Sequence, residues 1–264
     1  MIKFFRHIRK AMIKESRASK YFLYAIGEII LVVIGILIAL QINTWNKTQS
    51  DIKTETISLK NLVQDLEKQS TSLDEYIVYE SDYIANGVEV LKHYAKHKAF
   101  VEMDSIQADL YILSERRTFN PITTTFEELN STGDIALIRN EGIKREVIKY
   151  YNDLERVALI ISNNNTNHVD AMFNSVLIKH SGFRSRSIHD LFLGEVDSVY
   201  KADLFKKMNS ISEKMLSKPE NEMHLFSALE LRTGVANHHK ILYELLQKET
   251  TTLTELLKSE LEDN

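Results

Sequence analysis

The chain has 264 residues, with 33 Lys or Arg against 37 Asp or Glu for a net charge of −4. Eight glycines and two prolines are too few for the tight turns of an all-β fold, and the lack of cysteine excludes disulfides, thiolate metal sites and thiol catalysis together. Seven of the bases fall in the first 20 residues, so the chain after residue 46 is acidic, which argues against the phosphate neutralisation that nucleic-acid binding rests on.

Residues 1–20 read MIKFFRHIRKAMIKESRASK. Ile2, Phe5, Ile8 and Met12 recur at helical spacing, and Lys3, Arg6, Lys10, Lys14 and Arg17 take the other side, with Arg9 and Lys20 completing the basic set. This pattern predicts an amphipathic tail that lies on anionic membrane lipids, each base contributing about 1 kcal/mol. The plainer alternative is a solvated tail that only sets topology.

Tyr21 to Leu40, YFLYAIGEIILVVIGILIAL, has the length and apolarity of a helix that crosses a bilayer, and Glu28 is its single charge. Tyr21, Tyr24 and Trp45 stand where interfacial aromatics stand. The apolar run is longer than a signal peptide's core and no small-x-small cleavage site follows it, so residues 21–45 read as an uncleaved transmembrane anchor. The basic flank predicts a cytoplasmic N-terminus, leaving residues 46–264 as an extracytoplasmic, periplasmic domain of an inner-membrane protein. Steps of three and four from Glu28 trace a stripe through Ala25, Val32, Gly35, Ala39, Ile42 and Asn46. Gly35 and Ala39 form the small-xxx-small pair that lets helix backbones approach, and a carboxyl group on the same face suits a hydrogen bond across the contact. The competing explanation is a shallow glutamate that reaches the headgroups.

From Lys47 to about Lys98 the spacing of Leu59, Leu62, Leu66, Leu73, Tyr76, Ile77, Tyr83, Ile84, Val88 and Leu91 predicts a long amphipathic helix, continuous with the span and loosened near Gly87. A shorter helix is expected over about Asp104–Arg116, with Ile106, Leu110, Tyr111 and Leu113 turned inward, before Asn120-Pro121 breaks the chain. Thr124 with Glu127, or Thr125 with Glu128, fits a capping box for a helix that Gly133 stops. Asn140 suits the N-cap of a helix over about Glu141–His180, in which Asn163-Asn164-Asn165 predicts a kink or bulge. Ala202–Leu216 and a last long helix opening at Pro219 follow, carried by Leu225, Leu229, Ala236, Leu242, Leu246, Leu253, Leu257 and Leu261. The fold class is all-α: the transmembrane helix followed by an antiparallel bundle of long helices, with short helices capping one end.

The stretches Lys20–Asn46 and Thr118–Glu155, the second reading TFNPITTTFEELNSTGDIALIRNEGIKREVIKYYNDLE, resemble an uncharacterised family of Bacteroidota membrane proteins, most specifically in Tyr24-Ala25-Ile26-Gly27-Glu28-Ile29. The resemblance implies a bacterial inner-membrane location and a helical body, and it implies no activity.

Motifs for chemistry are sparse. His93 and His97 share a helix face at metal-ligand spacing, but Lys92, Lys96 and Lys98 surround them. His238-His239 are adjacent and diverge, and His224 follows Glu220 by one turn. Arg184, Arg186 and His189 suggest at most a small anion site in an irregular loop. No nucleophile elbow, phosphate loop or dinucleotide fingerprint is present. The expectation is therefore a non-enzymatic protein without cofactor or metal, whose helical domain meets other proteins. Its span would pair with a second copy or another membrane protein. The alternative is a ligand-sensing module that signals through a partner, since the 20-residue tail is too short for an output domain.

Overall fold

A computed structural model describes residues 18–181 and 202–263, and of residues 18–21, 202, 203 and 205 the backbone alone. Helix α1 runs Ala18–His97, α2 Met103–Ser114 and α3 Thr124–Thr132; a 3₁₀ turn, Asp134–Leu137, leads to α4, Glu141–Asn164. A π-helix, Asn165–Phe173, joins α4 to α5, Asn174–His180, and α6, Ala202–Leu216, precedes α7, Pro219–Asp263. No strand occurs among the described residues, and the fold is all-α as its sequence predicts. The chain divides into two units, residues 1–57 and 58–264.

In the first unit, every side chain from Ile29 to Ser50 is exposed. Among the described residues one helix is long and apolar enough to cross a membrane, by length and composition, and its apolar window is not buried at all.

The second unit is a bundle of three long helical segments. Contacts fix their directions. Along α1 and α7, Glu67 meets Lys258, Glu80 meets His239 and Arg232 lies over Tyr83. Along α4 and α7, Asn140 meets Glu260, Tyr150 meets Thr250 and Asn164 meets His239. Helix α7 is thus antiparallel to both α1 and α4. Apolar side chains gather in two clusters. One joins Leu59, Leu62, Leu66 and Leu73 of α1 to Val147, Leu154 and Ile161 of α4 and Leu246, Leu253 and Leu257 of α7. The other joins Tyr83 and Val90 to Ile106 and Leu110 of α2, Phe173, Leu177, Leu225 and Leu229. The short helices do not cap one end: α3 contributes Leu129 to the first cluster, while α2 and α6 supply Leu110 and Leu216 to the second.

Local signals explain most boundaries. Asn140 Oδ1 accepts from Gly142 N at 3.0 Å and Ile143 N at 3.3 Å, the expected N-cap of α4. Gly133 ends α3 at φ 81°, a left-handed turn that suits glycine. Neither capping box forms at α3. Thr123 Oγ1 bonds Glu127 Oε1 instead, and the helix is capped from a distance: Asp65 Oδ2 on α1 accepts from Thr125 N at 3.1 Å and from Thr125 Oγ1 at 2.6 Å. A carboxylate serves well here because the first helical N–H groups lack acceptors and carry partial positive charge.

The π-helix has a spacing cause. Ile161, Asn165, Val169, Phe173 and Leu177 are all buried, at intervals of four residues. A period of four outruns the 3.6-residue α-turn, and widening the turn keeps all five on one face. The expected irregularity at the asparagine run is this widening.

Two expectations about α1 change. Val88 is exposed, and Gly87 and Val90 take the inner positions. Gly87 does not loosen the helix; it is a close-approach point, where a Cβ would collide with Thr233 Oγ1 of α7. Gly87→Ala should therefore destabilise the protein by about 1–3 kcal/mol despite the better helix propensity of alanine. Thr233→Ala in the same chain should recover most of that loss, as read by denaturant unfolding.

Candidate functional site

Between the two apolar clusters lies a layer of buried polar side chains. Glu80 is 3 % exposed, Arg232 2 %, His239 1 % and Asn165 3 %. Each sits in the inward register of its helix: Arg232 and His239 continue the three- and four-residue steps of Leu225, Leu229, Ala236, Tyr243 and Leu246. Leucine spacing alone marks the apolar face, and the charged residues that share its register show in the sequence as breaks in that face.

A relay of hydrogen bonds crosses the bundle. His239 Nδ1 lies 3.2 Å from Glu80 Oε1 on α1, and its Nε2 lies 3.2 Å from Asn164 Nδ2 at the end of α4. With the Asn164 NH₂ turned towards it, Nε2 accepts, and Nδ1 is the nitrogen that donates to Glu80. Glu80 Oε2 and the Tyr243 hydroxyl are buried without hydrogen-bond partners among the described residues.

Arg232 works on a different group. Its Nε donates to Leu113 O at 2.8 Å and its Nη2 to Glu115 O at 3.1 Å, at the C-terminal end of α2, where helix carbonyls lack partners and carry partial negative charge. Its guanidinium stacks over the Tyr83 ring at 4.3 Å. Burial lowers the pKa of Arg232, opposed by the Glu80 charge, and burial raises that of Tyr83.

The chain beyond α2, residues 115–123, is neither helix nor strand. Side chains satisfy its backbone instead. Asn174 Nδ2 donates to Ser114 O at 3.1 Å, Asn165 Nδ2 to Arg117 O at 2.9 Å and Tyr76 OH to Thr118 O at 2.8 Å. Ile122 N donates to Gln69 Oε1 at 2.8 Å, and Arg116 pairs with Asp170 of the π-helix at 2.8 Å. Phe119 closes the site from inside, edge-on to Tyr76 and to Tyr243, which stack on each other at 5.1 Å.

This layer sets a buried imidazole against a buried carboxylate across α7 and α1. Its histidine–carboxylate pair resembles an oriented general base, but Asn164 occupies the nitrogen that a substrate would use.

The residues singled out from the sequence lie elsewhere. On α1, Ala25 and Glu28 are half-buried, whereas Val32, Gly35 and Ala39 are exposed, and the space beside Gly35 is open. Lys3, Arg6, Arg9, Lys10, Lys14 and Arg17 lie outside the described residues, as do Arg184, Arg186 and His189; of Lys20 only the backbone is described. His93 and His97 stack with centroids 4.6 Å apart, and His93 Nε2 lies 2.8 Å from Val101 O, so that nitrogen donates to the turn after α1. His224 approaches His180 at 6.1 Å, and His238 is exposed while His239 is buried, so the two do not share a helix face. Burial, with the nearby His224 and Lys179, lowers the pKa of His180.

Two outcomes follow from the layer and its surroundings. Arg232→Met removes both carbonyl contacts and the guanidinium stacked on Tyr83, and should cost about 3 kcal/mol of unfolding free energy. Burial pushes Tyr150 up to about 12, and its hydroxyl bonds Thr250. A raised pKa means that the folded state keeps its proton after the unfolded chain has lost it. Stability is full below about pH 10 and declines as pH rises from there towards the folded pKa. Tyr150→Phe should flatten that decline in alkaline unfolding curves.

No curated protein and no solved structure matches this chain. Residues 28–185, from Glu28 through α5, match a family of unknown function, and the chain belongs to that family, DUF6090.

Proposed function

We propose that this chain is a single-pass inner-membrane protein of a Bacteroidota cell. In this reading residues 1–20 lie on the cytoplasmic leaflet, held by their bases against anionic lipid, residues 21–45 cross the bilayer, and residues 46–264 stand in the periplasm. The protein is not an enzyme. Its bundle presents a surface for protein–protein contact, and its span associates with a second copy through Ala25, Glu28, Val32, Gly35 and Ala39.

The observation that carries this reading is the exposed apolar run of α1, with open space beside Gly35 and one carboxylate in the same stripe. In hydrocarbon, close backbone approach and interhelical hydrogen bonds drive association, and small residues with one polar group supply both. A second reading, a sensor that signals through a partner membrane protein, is favoured by the buried polar layer and the adjoining π-helix. Such widened turns recur at functional sites.

Cysteine crosslinking in native membranes tests the interface. Gly35→Cys and Ala39→Cys should each give a homodimer, and Leu37→Cys, on the opposite face, should not. Glu28→Leu should reduce the Gly35→Cys dimer several-fold. Equal crosslinking at all three positions, or none, would defeat the proposal.

A further inference from the structure

We infer that α6 is a docking edge for an acidic amphipathic helix of a partner protein. The inference gives the protein-contact surface of the proposed function a location, and it rests on that part of the reading alone. Helix α6 is turned so that polar residues go inward. Asn209 and Ser212 are buried; Asn209 Nδ2 donates to Asp104 of α2, and Ser212 Oγ donates to His180 O of α5 at 2.9 Å. Leu204, by contrast, is 37 % exposed, Met208 37 % and Ile211 42 %. A helix that served its own core alone would bury the apolar residues and leave the polar ones in water.

The exposed residues have the spacing of a seam. Leu204, Met208, Ile211 and the half-buried Met215 follow at intervals of four, three and four, the d, a, d and a positions of a heptad. Lys207 and Lys214, both exposed, each precede an a position and so stand at g, where charge selects the partner. Ser212, at e, faces α5, which leaves the seam open on its lysine border. Among the described side chains of α6 the one acid is Glu213, and it is turned to α2, where it accepts from Met103 N at 3.4 Å. A helix with apolar a and d residues and acids opposite Lys207 and Lys214 matches this edge in shape and in charge, and a basic helix is repelled. An anionic bilayer would take the whole apolar face of a helix, whereas here the e border is packed against α5. Four seam positions make a short contact, so a Kd of roughly 10–100 µM is expected.

Fluorescence anisotropy on the full chain in neutral-lipid nanodiscs tests this with two labelled synthetic peptides of three heptads. Both carry leucine at a and d; one has glutamate at e and g, the other lysine. The wild type should bind the glutamate peptide at least about tenfold more tightly than the lysine peptide. Lys207→Glu combined with Lys214→Glu should reverse that order, and Ile211→Asp should weaken the glutamate peptide by about tenfold. The charge-reversed pair lies on the exposed border and keeps the test decisive if Ile211→Asp does not fold. A photocrosslinker on Met208→Cys should capture the glutamate peptide, and excess unlabelled peptide should compete it away. No binding of the glutamate peptide at about 500 µM, or a preference that charge reversal leaves unmoved, overturns the inference. So does a crosslink from Met208→Cys to residues 182–201 of the same chain, to a second copy, or to anionic lipid added to the disc. Failure here with the Gly35→Cys dimer intact rejects this edge and leaves the span interface standing; loss of both rejects the reading as a whole.

Discussion

A stretch of backbone that is neither helix nor strand, set against a helical bundle, must find donors for its carbonyl groups, and no neighbouring backbone can provide them. In this protein the carbonyls of Leu113, Ser114, Glu115, Arg117 and Thr118 are met by Arg232 of α7, Asn174 of α5, Asn165 of the π-helix and Tyr76 of α1. Arg232 cannot be traded for an apolar residue without stranding the end of α2, and Asn165 cannot without freeing Arg117 O. The requirement fixes where α1, the π-helix and α7 stand along one another, because each carries a donor that must reach the same short segment.

The two apolar clusters follow from that arrangement. Apolar side chains repeat along all three long helices and would pack in several registers, since a slide by one heptad exchanges one apolar residue for another. Polar residues in the inward face remove that freedom. Glu80 must face His239, and Arg232 must reach α2. Buried polar pairs contribute little net stability, and fixing register is their best-attested use. Gly87 tightens the same fit from the other direction by letting α1 and α7 come close where Thr233 faces it.

The irregular elements share this logic. The nine-residue π-helix is the answer of one chain to a four-residue repeat of buried positions. The cap of α3 comes from Asp65, sixty residues earlier, while the nearby side chains of Thr123 and Glu127 bond each other. In each case a tertiary partner outranks the nearest local solution.

The sequence by itself determined the helices. Glycine and proline scarcity, leucine periodicity, the Asn140 cap, the Gly133 stop and Pro219 are short-range signals, and each boundary they mark is set by groups within a few residues. It also determined the apolar run and its single glutamate. Only the tertiary structure decided which polar residues matter inside the bundle. Gln69, Glu80, Asn165, Arg232 and His239 break the inward faces of their helices in the sequence, but what each one bonds is set only when the helices are packed, because their partners lie on other elements, as far as 159 positions away for Glu80 and His239. The register of a face tells which way a side chain points. What waits for it there depends on how three helices meet, and that is settled by packing and by the carbonyl groups of a segment with no partner of its own.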